Sequence, residues 1–307
     1  MLSCNYKKYY KKCYQLCRCF YSSDDRDYKL LPKSEIETKH YEIYSKYLSK
    51  YDFIKQLSKS TYKINYNNNF CTIKIIYKDS DFLNQLLIAD LLKDTLKTNG
   101  MIENKKFSKD VVMKGGIIIS KYIPGIDLWQ YINNLDKGLP EIKAKKIIKS
   151  LLYSLKNIHD KNIIHSDIKP ENVVCLNNNP YESNLIDYDL ASILDKEETS
   201  LKCKIEGTIP FIAPEIVKTR RKCKKSDVWS LGCLTYILLF HKHLLTNDKC
   251  NFMKTIQNIE PYLEKIKSEI KGIVSPECFE FLFNMLAENL EKRNNVDTLL
   301  KHEWIIN

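Results

Sequence analysis

The stretch His165-Ser166-Asp167-Ile168-Lys169-Pro170-Glu171-Asn172 holds a carboxylate, an ammonium two residues later and a side-chain amide three residues beyond that. Pro170 stiffens the backbone between the last two. The chemistry open to such a set is the handling of phosphate. Asp167 can accept a proton from an attacking hydroxyl, Lys169 can neutralise a phosphoryl oxygen, and the side-chain oxygen of Asn172 can ligate a hard cation such as Mg²⁺. A polar turn between a helix and a strand would not require these three types at this spacing.

The elements that must position this stretch are readable on both sides of it. Pro140-Glu141 starts a helix in which Ile142, Ile147, Ile148, Leu151, Leu152, Leu155 and Ile158 are expected on one buried face. It delivers the chain to Ile163-Ile164. Residues 173–176 and 184–186 read as short strands joined by a turn-rich connection. Upstream, 51–57 and 70–76 are strand candidates, 81–96 a helix, and Gly115-Gly116 with Ile117-Ile118-Ile119 a turn and a buried strand. Residues 120–125 break the pattern as a hinge would, and the chain is mainly helical from there on. The longest apolar run, 228–240, has the length of a buried core helix rather than of a membrane span.

Bulk properties bound the reading further. A chain of 307 residues with 44% hydrophobic residues can bury a large core, and its formal charge of +11 favours acidic partners. The 11 cysteines are scattered and odd in number, with no secretory signal, so a soluble protein of a reduced intracellular compartment is expected. Residues 1–20 carry Lys7, Lys8, Lys11, Lys12 and Arg18 without an acid, and their apolar residues line one helix face. Such a helix can lie on an anionic membrane, with Cys13, Cys17 and Cys19 as palmitoyl acceptors. The plainer readings are a helix packed on the following domain or a basic tail. A second basic run, 219–225, suits acidic substrates or a nuclear address, and is most simply a solvated loop.

Several motifs, in register, resemble the eukaryotic-type Ser/Thr protein kinase family. The 165–172 stretch resembles its catalytic loop. Cys71-Thr72-Ile73-Lys74 resembles its Val-Ala-Ile-Lys strand and Asp187-Tyr188-Asp189 its Asp-Phe-Gly, while residues 207–215 resemble its substrate-docking loop and Ala-Pro-Glu motif. Ser226 to Gly232, Glu291-Lys292-Arg293 and residues 299–305 match its closing motifs. The resemblance spans roughly residues 51–305. It implies an α+β, two-lobed kinase fold, with a small antiparallel-sheet N-lobe over 51–123 and a larger, mainly helical C-lobe over 124–305, behind a tail and linker at 1–50.

The resemblance also implies roles. ATP and Mg²⁺ are the expected cofactors, and the expected partner is a protein substrate with a Ser/Thr acceptor; no specific nucleic acid is expected. Asp167 would be the catalytic base and Lys169 would stabilise the transferring group. Asn172 and Asp187 would hold the metal, and Lys74 the α- and β-phosphates. The nucleotide loop would be Leu57, Ser58, Lys59, Ser60, Thr61, Tyr62, Lys63, Ile64 and Asn65, in which Ser58, Ser60 and Lys63 stand where the family has glycines. The backbone of Lys121 and Ile123 would read adenine, and Asp127 would reach the ribose. Asp90 is either the partner of Lys74, in place of the family's Glu, or a solvated helix charge. Thr208 would bridge Asp167 and Lys169, Glu215 would pair with Arg293, and Asp227 would brace the loop backbone. Ser166 replaces an Arg that accompanies regulation by phosphorylation. Cytoplasmic location is expected, with peripheral membrane or nuclear association if the basic segments act. The missing glycines leave a pseudokinase, a binding or scaffold module on the same fold, as the alternative.

Overall fold

The computed structural model of the protein describes residues 47–92, 101–106 and 115–307. The membrane-facing reading of residues 1–20 lies outside these residues, as does the end of the helix read over 81–96. The chain divides into two units, Met1–Ile123 and Pro124–Asn307.

The first unit is an antiparallel sheet of β1 (Asp52–Gln56), β2 (Thr61–Tyr66), β3 (Asn69–Ile76), β4 (Met101–Lys106) and β5 (Gly116–Lys121), in the order β1-β2-β3-β5-β4. Asn67 and Asn68, at φ 51° and 61°, make the tight turn between β2 and β3, a conformation asparagine tolerates better than most residues. Strand alternation then divides the side chains. Tyr62, Ile64, Cys71, Ile73, Ile75, Ile117 and Ile119 pack with Tyr47, Leu48, Tyr51 and Phe53 on one face. Each such side chain, once buried, contributes about 1.5–3 kcal/mol. On the other face, α1 (Asp79–Leu92) lays Phe82 against Ile76 and Ile118. Gly116 permits that approach, since a Cβ there would stand 2.6 Å from the Phe82 ring.

The second unit opens with β6 (Gly125–Asp127), α2 (Leu128–Asn133), α3 (Glu141–His159) and β7 (Ile163–Ile164). After the 165–172 loop come β8 (Val173–Leu176), β9 (Ser183–Leu185), β10 (Ser192–Ile193), β11 (Leu201–Lys202), α4 (Pro214–Thr219), β12 (Arg221–Lys222) and α5 (Lys224–Phe240). The chain closes with α6 (Lys249–Gln257), α7 (Ile259–Ile270), α8 (Pro276–Met285), α9 (Val296–Leu300) and α10 (Glu303–Ile306). Its strands form a β6-β8-β9 sheet and the two-stranded pairs β7/β10 and β11/β12.

Helices α3 and α5 carry the core. Along α3, Ala144, Ile147, Ile148, Leu151, Leu152, Leu155 and Ile158 are buried. Ile142 is not part of that face: it is 56% exposed. At 100° per residue it projects from the side of the helix opposite Leu151, so its place in the apolar series was a coincidence of composition. At the helix start, Glu141 accepts hydrogen bonds from Ser275 N–H (2.9 Å) and from the Trp304 indole N–H (2.7 Å), tying α3 to α8 and α10. Burial alone would raise the pKa of Glu141, but these bonds prevail and hold it below the usual carboxylate value. Helix α5 is buried along almost its whole length. No helix among the described residues is long and apolar enough to cross a membrane. Every cysteine among them is a free thiol.

The basic run at 219–225 is not a solvated loop. Lys222 is 4% exposed and pairs with Glu206 while donating to Leu190 C=O (3.0 Å). Lys224 donates to Asn162 Oδ1 (2.7 Å), Lys225 to Leu290 C=O (2.6 Å), and the Arg221 guanidinium grips Ser200. The run spans the end of α4, β12 and the first turn of α5, and Arg221, Lys222, Lys224 and Lys225 meet acceptors distant in sequence, while Arg220 is exposed.

Candidate active site

The 165–172 loop follows β7 and is fastened from beneath by Asp227, which has no exposed surface. Its Oδ2 accepts from His165 N–H (2.8 Å) and lies 2.9 Å from His159 Nε2, and its Oδ1 accepts from Ser166 N–H (2.8 Å). Two consecutive amides can converge on one carboxylate because Ser166 adopts a left-handed conformation, φ 70°. A buried charge is tolerated when it is this fully hydrogen-bonded. The His165 ring lies 5.1 Å from the Tyr188 ring and within 3.1 Å of Ile186 C=O, which joins the loop to the segment after β9. The hydroxyl of Ser166 is buried without a hydrogen-bond partner, beside a small cavity that Thr208, Lys222 and Ser230 also line.

Above this brace the side chains form a closed set. Asp167 Oδ1 accepts from the Thr208 hydroxyl (2.7 Å), and Oδ2 takes Lys169 Nζ (2.8 Å) and Asn172 Nδ2 (3.0 Å). Lys169 also donates to Thr208 Oγ1 (2.8 Å). Thr208 therefore donates to the carboxylate and accepts from the ammonium through one oxygen, as a hydroxyl can. The Asp167 side chain is 13% exposed and that of Lys169 20%, so both are held by the set without being sealed from solvent.

Asn172 spends its Nδ2 on Asp167, on the backbone C=O (2.9 Å) as well as the carboxylate, which leaves its Oδ1 to a cation. Its own C=O accepts from Ile186 N–H (2.9 Å), so the chain reaches Asp187 directly beside it. Asp187 sits at φ 65°, turned out of the strand direction. An amide oxygen and a carboxylate are hard-oxygen donors of the kind Mg²⁺ takes, and this backbone bond brings the two residues that carry them into register.

Thr208 lies in a segment closed by a buried ion pair. Arg293, with no exposed surface, meets Glu215 through two parallel bonds, Nη1 to Oε1 (2.8 Å) and Nη2 to Oε2 (3.0 Å). Ser226 donates to the same carboxylate (2.7 Å), and the guanidinium further reaches Ala287 C=O (2.8 Å) and Lys225 C=O (2.9 Å).

In the first unit, Lys74 stands half-buried on β3, opposite Thr61 and Ile118. The stretch expected to form one long nucleotide loop is in fact a short turn and a strand. Residues 57–60 turn the chain, and 61–65 already belong to β2. Leu57 and Ser58 both donate their backbone N–H to Thr61 C=O (2.8 and 3.1 Å), so these amides close the turn. Tyr62 and Ile64 are 2% and 0% exposed in the core, which leaves only their backbone for a ligand. Lys63 is buried too, with Nζ 4.1 Å from the centre of the Phe70 ring and 4.2 Å from that of Tyr122. Lys121 is exposed, Ile123 is buried, and Asp90 is exposed on α1. In the second unit Asp127 caps α2, accepting from Gln130 N–H (2.7 Å). Burial raises its pKa, against the pull of that bond.

The sequence matches the protein kinase domain over residues 55–305. The chain belongs to this family. It is similar to myosin light chain kinase 2 of skeletal and cardiac muscle from Mus musculus, with 29% identity over 193 residues, 62% of this chain and 30% of that protein. It is also similar to smooth-muscle myosin light chain kinase of Gallus gallus (29% over 189 residues, 62% of this chain and 10% of that protein). Serine/threonine-protein kinase D3 of Mus musculus is 30% identical over 186 residues, 58% of this chain and 20% of that protein. The chain thus spans less than a third of the length of these relatives.

Kinase membership gives the geometry its context, and three features of it escaped the sequence reading. His159 shares Asp227 with the loop amides, yet as the last residue of α3 it reads only as a helix-end charge. Lys222 fixes the segment that carries Thr208, by way of Glu206 and Leu190, but was counted with its basic neighbours. Lys63 stands in a place the family gives to glycine, and nothing local announced that its ammonium would be buried over two rings.

Proposed function

We propose that this protein is an active Ser/Thr protein kinase that transfers the γ-phosphate of ATP to a hydroxyl of a protein substrate. The observation that carries the reading is the closed set of Asp167, Lys169, Asn172 and Thr208. It holds a carboxylate in place to orient and deprotonate an incoming hydroxyl, with an ammonium beside it for the charge on the transferring group. Lys169 and Thr208 are the pair expected where a Ser or Thr side chain is the acceptor. Asn172 and Asp187 are the residues that would hold Mg²⁺, whose charge would offset that developing on the phosphates. Lys74 would take the α- and β-phosphates, with Asp90 as its candidate partner, and the backbone of Lys121 and Ile123 would take adenine. A carboxylate, an ammonium and an amide held this closely are what phosphoryl transfer uses, and a scaffold has no need of all of them.

One observation favours the pseudokinase instead. The turn at 57–60 lacks glycine and directs the N–H groups of Leu57 and Ser58 to its own Thr61, so phosphates find fewer amides there. The deciding measurement is Mg²⁺-dependent transfer of the γ-phosphate from ATP to generic protein substrates, with Asp167→Ala as the control. Transfer by the parent well above the control is expected; equality of the two would favour the scaffold.

A further inference from the structure

We infer that Lys63 is a second phosphate-binding lysine, held on the Phe70 and Tyr122 rings until a nucleotide draws it to the phosphates beside Lys74. This rests on the nucleotide-binding reading above and assigns the work of the missing glycines to one side chain.

The strand register supplies the geometry. Lys63 is paired with Thr72, and Lys74 lies two residues further along the same strand, opposite Thr61. Residues two apart on one strand share a face, so both lysines project from the face opposite the Tyr62–Ile64–Ile73 core. Such diagonal neighbours on adjacent strands stand about 7–8 Å apart, within the span of two long side chains converging on one polyanion. Phe70 is the other diagonal neighbour of Lys63, two residues from Thr72 in the opposite direction, and Tyr122 is bonded to it through N–H to Phe70 C=O (3.2 Å). Lys63 therefore has a ring on one side and a phosphate-binding ammonium on the other, and it lies over the rings.

The charge pattern favours an anion at this face. Lys55 is the cross-strand partner of Lys63, so three lysines on three successive strands share one face. Cations placed on one face in this way add to the attraction felt by a polyanion that approaches it. The rings supply a weak, adaptable site for an ammonium, and a phosphate supplies a stronger one. Occupation of the phosphate position also uncovers the two ring faces, so the same movement that adds a phosphate contact clears apolar surface for the rest of the nucleotide.

The test compares affinities for ATP, ADP and adenosine by calorimetry for the parent, Lys63→Met and Lys63→Arg, with thermal unfolding as the folding control. Methionine keeps the stem over the rings and removes the charge. Lys63→Met is expected to weaken ATP binding about 10- to 30-fold, as for the loss of one charge-assisted contact, and to leave adenosine binding unchanged or tighter. Lys63→Arg should restore most of the preference for ATP. If Lys63→Met changes ATP and adenosine binding by the same factor, or changes neither, the ammonium only packs the sheet and the inference fails while the kinase reading stands. A folded parent that binds neither ATP nor ADP overturns both.

Discussion

Breaking the Glu215–Arg293 pair from one side should cost several kcal/mol of stability. The reason lies in the burial of both partners: Arg293 is 0% exposed and Glu215 8%. Arg293→Met strands a carboxylate to which the Ser226 hydroxyl still donates, at 2.7 Å. Glu215→Leu strands a guanidinium that keeps the neutral carbonyls of Ala287 and Lys225. Removal of one partner of a buried pair costs about 3–5 kcal/mol, because the other charge stays desolvated without compensation. Folded proteins hold about 5–15 kcal/mol in all, so a fifth or more would be lost. At about 2–4 °C per kcal/mol, either single variant should melt some 6–20 °C below the parent. The double variant Glu215→Leu/Arg293→Met buries no charge and should be more stable than the sum of the single losses implies, by 2 kcal/mol or about that. The assay is urea and thermal unfolding followed by tryptophan fluorescence, since Trp229 lies 5.1 Å from the guanidinium carbon. Single variants within about 1 kcal/mol of the parent, or losses that simply add in the double variant, would refute the argument.

Three further outcomes are expected. Thr208→Val removes the hydroxyl that aligns Asp167 and Lys169, and should lower kcat roughly 100-fold with little change in KM for ATP; Thr208→Ser should recover most of it, and an unaltered kcat in the valine variant would count against the closed set. Thr199→Ala/Ser200→Ala protein should keep its activity, because the Lys222–Glu206 pair holds the segment without a phosphate; a collapse of activity would show that modification is needed. His243 lies between the rings of Trp129 and Phe211, and burial lowers its pKa from 6.5 to about 4. The unfolded chain then takes up a proton that the folded one refuses, so this contribution is intact above about pH 6.5 and is lost as the pH falls towards 4, up to about 3 kcal/mol. His243→Phe should remove that part of the pH dependence of the urea midpoint, and parallel curves for parent and variant between pH 4 and 7 would contradict it.

Chemistry with fixed local spacing was legible in the residues themselves, whereas the long-range contacts that were expected, Thr208 with Asp167 and Lys169, Glu215 with Arg293 and Asp227 beneath the loop, came only through the family resemblance. The 165–172 loop could be read because Asp167, Lys169 and Asn172 are close in sequence and lie between an apolar-periodic helix and a β-branched pair. In the first unit β1, β3 and β5 were legible as strands, while β2 was read as part of the nucleotide loop and β4 was not foreseen; the interior character of α5 was legible from its long, mainly apolar run. Ile142 misled because residue type was read without its angle on the helix. Lys222 misled because a run of lysines says nothing of which one has a carboxylate from residue 206 and a carbonyl from residue 190 waiting for it. Asp127 was expected at a ribose, and its bond to Gln130 N–H also makes it a helix cap, a role that depends only on where α2 begins. Lys63 illustrates the same limit in a strand: alternation predicts its face, but not the two rings beneath its ammonium.

The start of α5 explains how a loop with serine at 166 can still be ordered. Lys222, at the end of β12, holds Glu206 and Leu190 and so fixes the approach to Thr208. Asp227, five residues later, holds the amides of His165 and Ser166 and so fixes the approach to Asp167. Between them Ser226 bonds Glu215, the carboxylate that Arg293 locks in place. The Thr208–Asp167 hydrogen bond then joins two segments already positioned from one short stretch of backbone. Each of these contacts is made by groups present in the unmodified chain. A phosphate would add charge to a segment whose buried ammonium is already paired, so order in the active segment should follow from folding itself rather than from a later covalent signal.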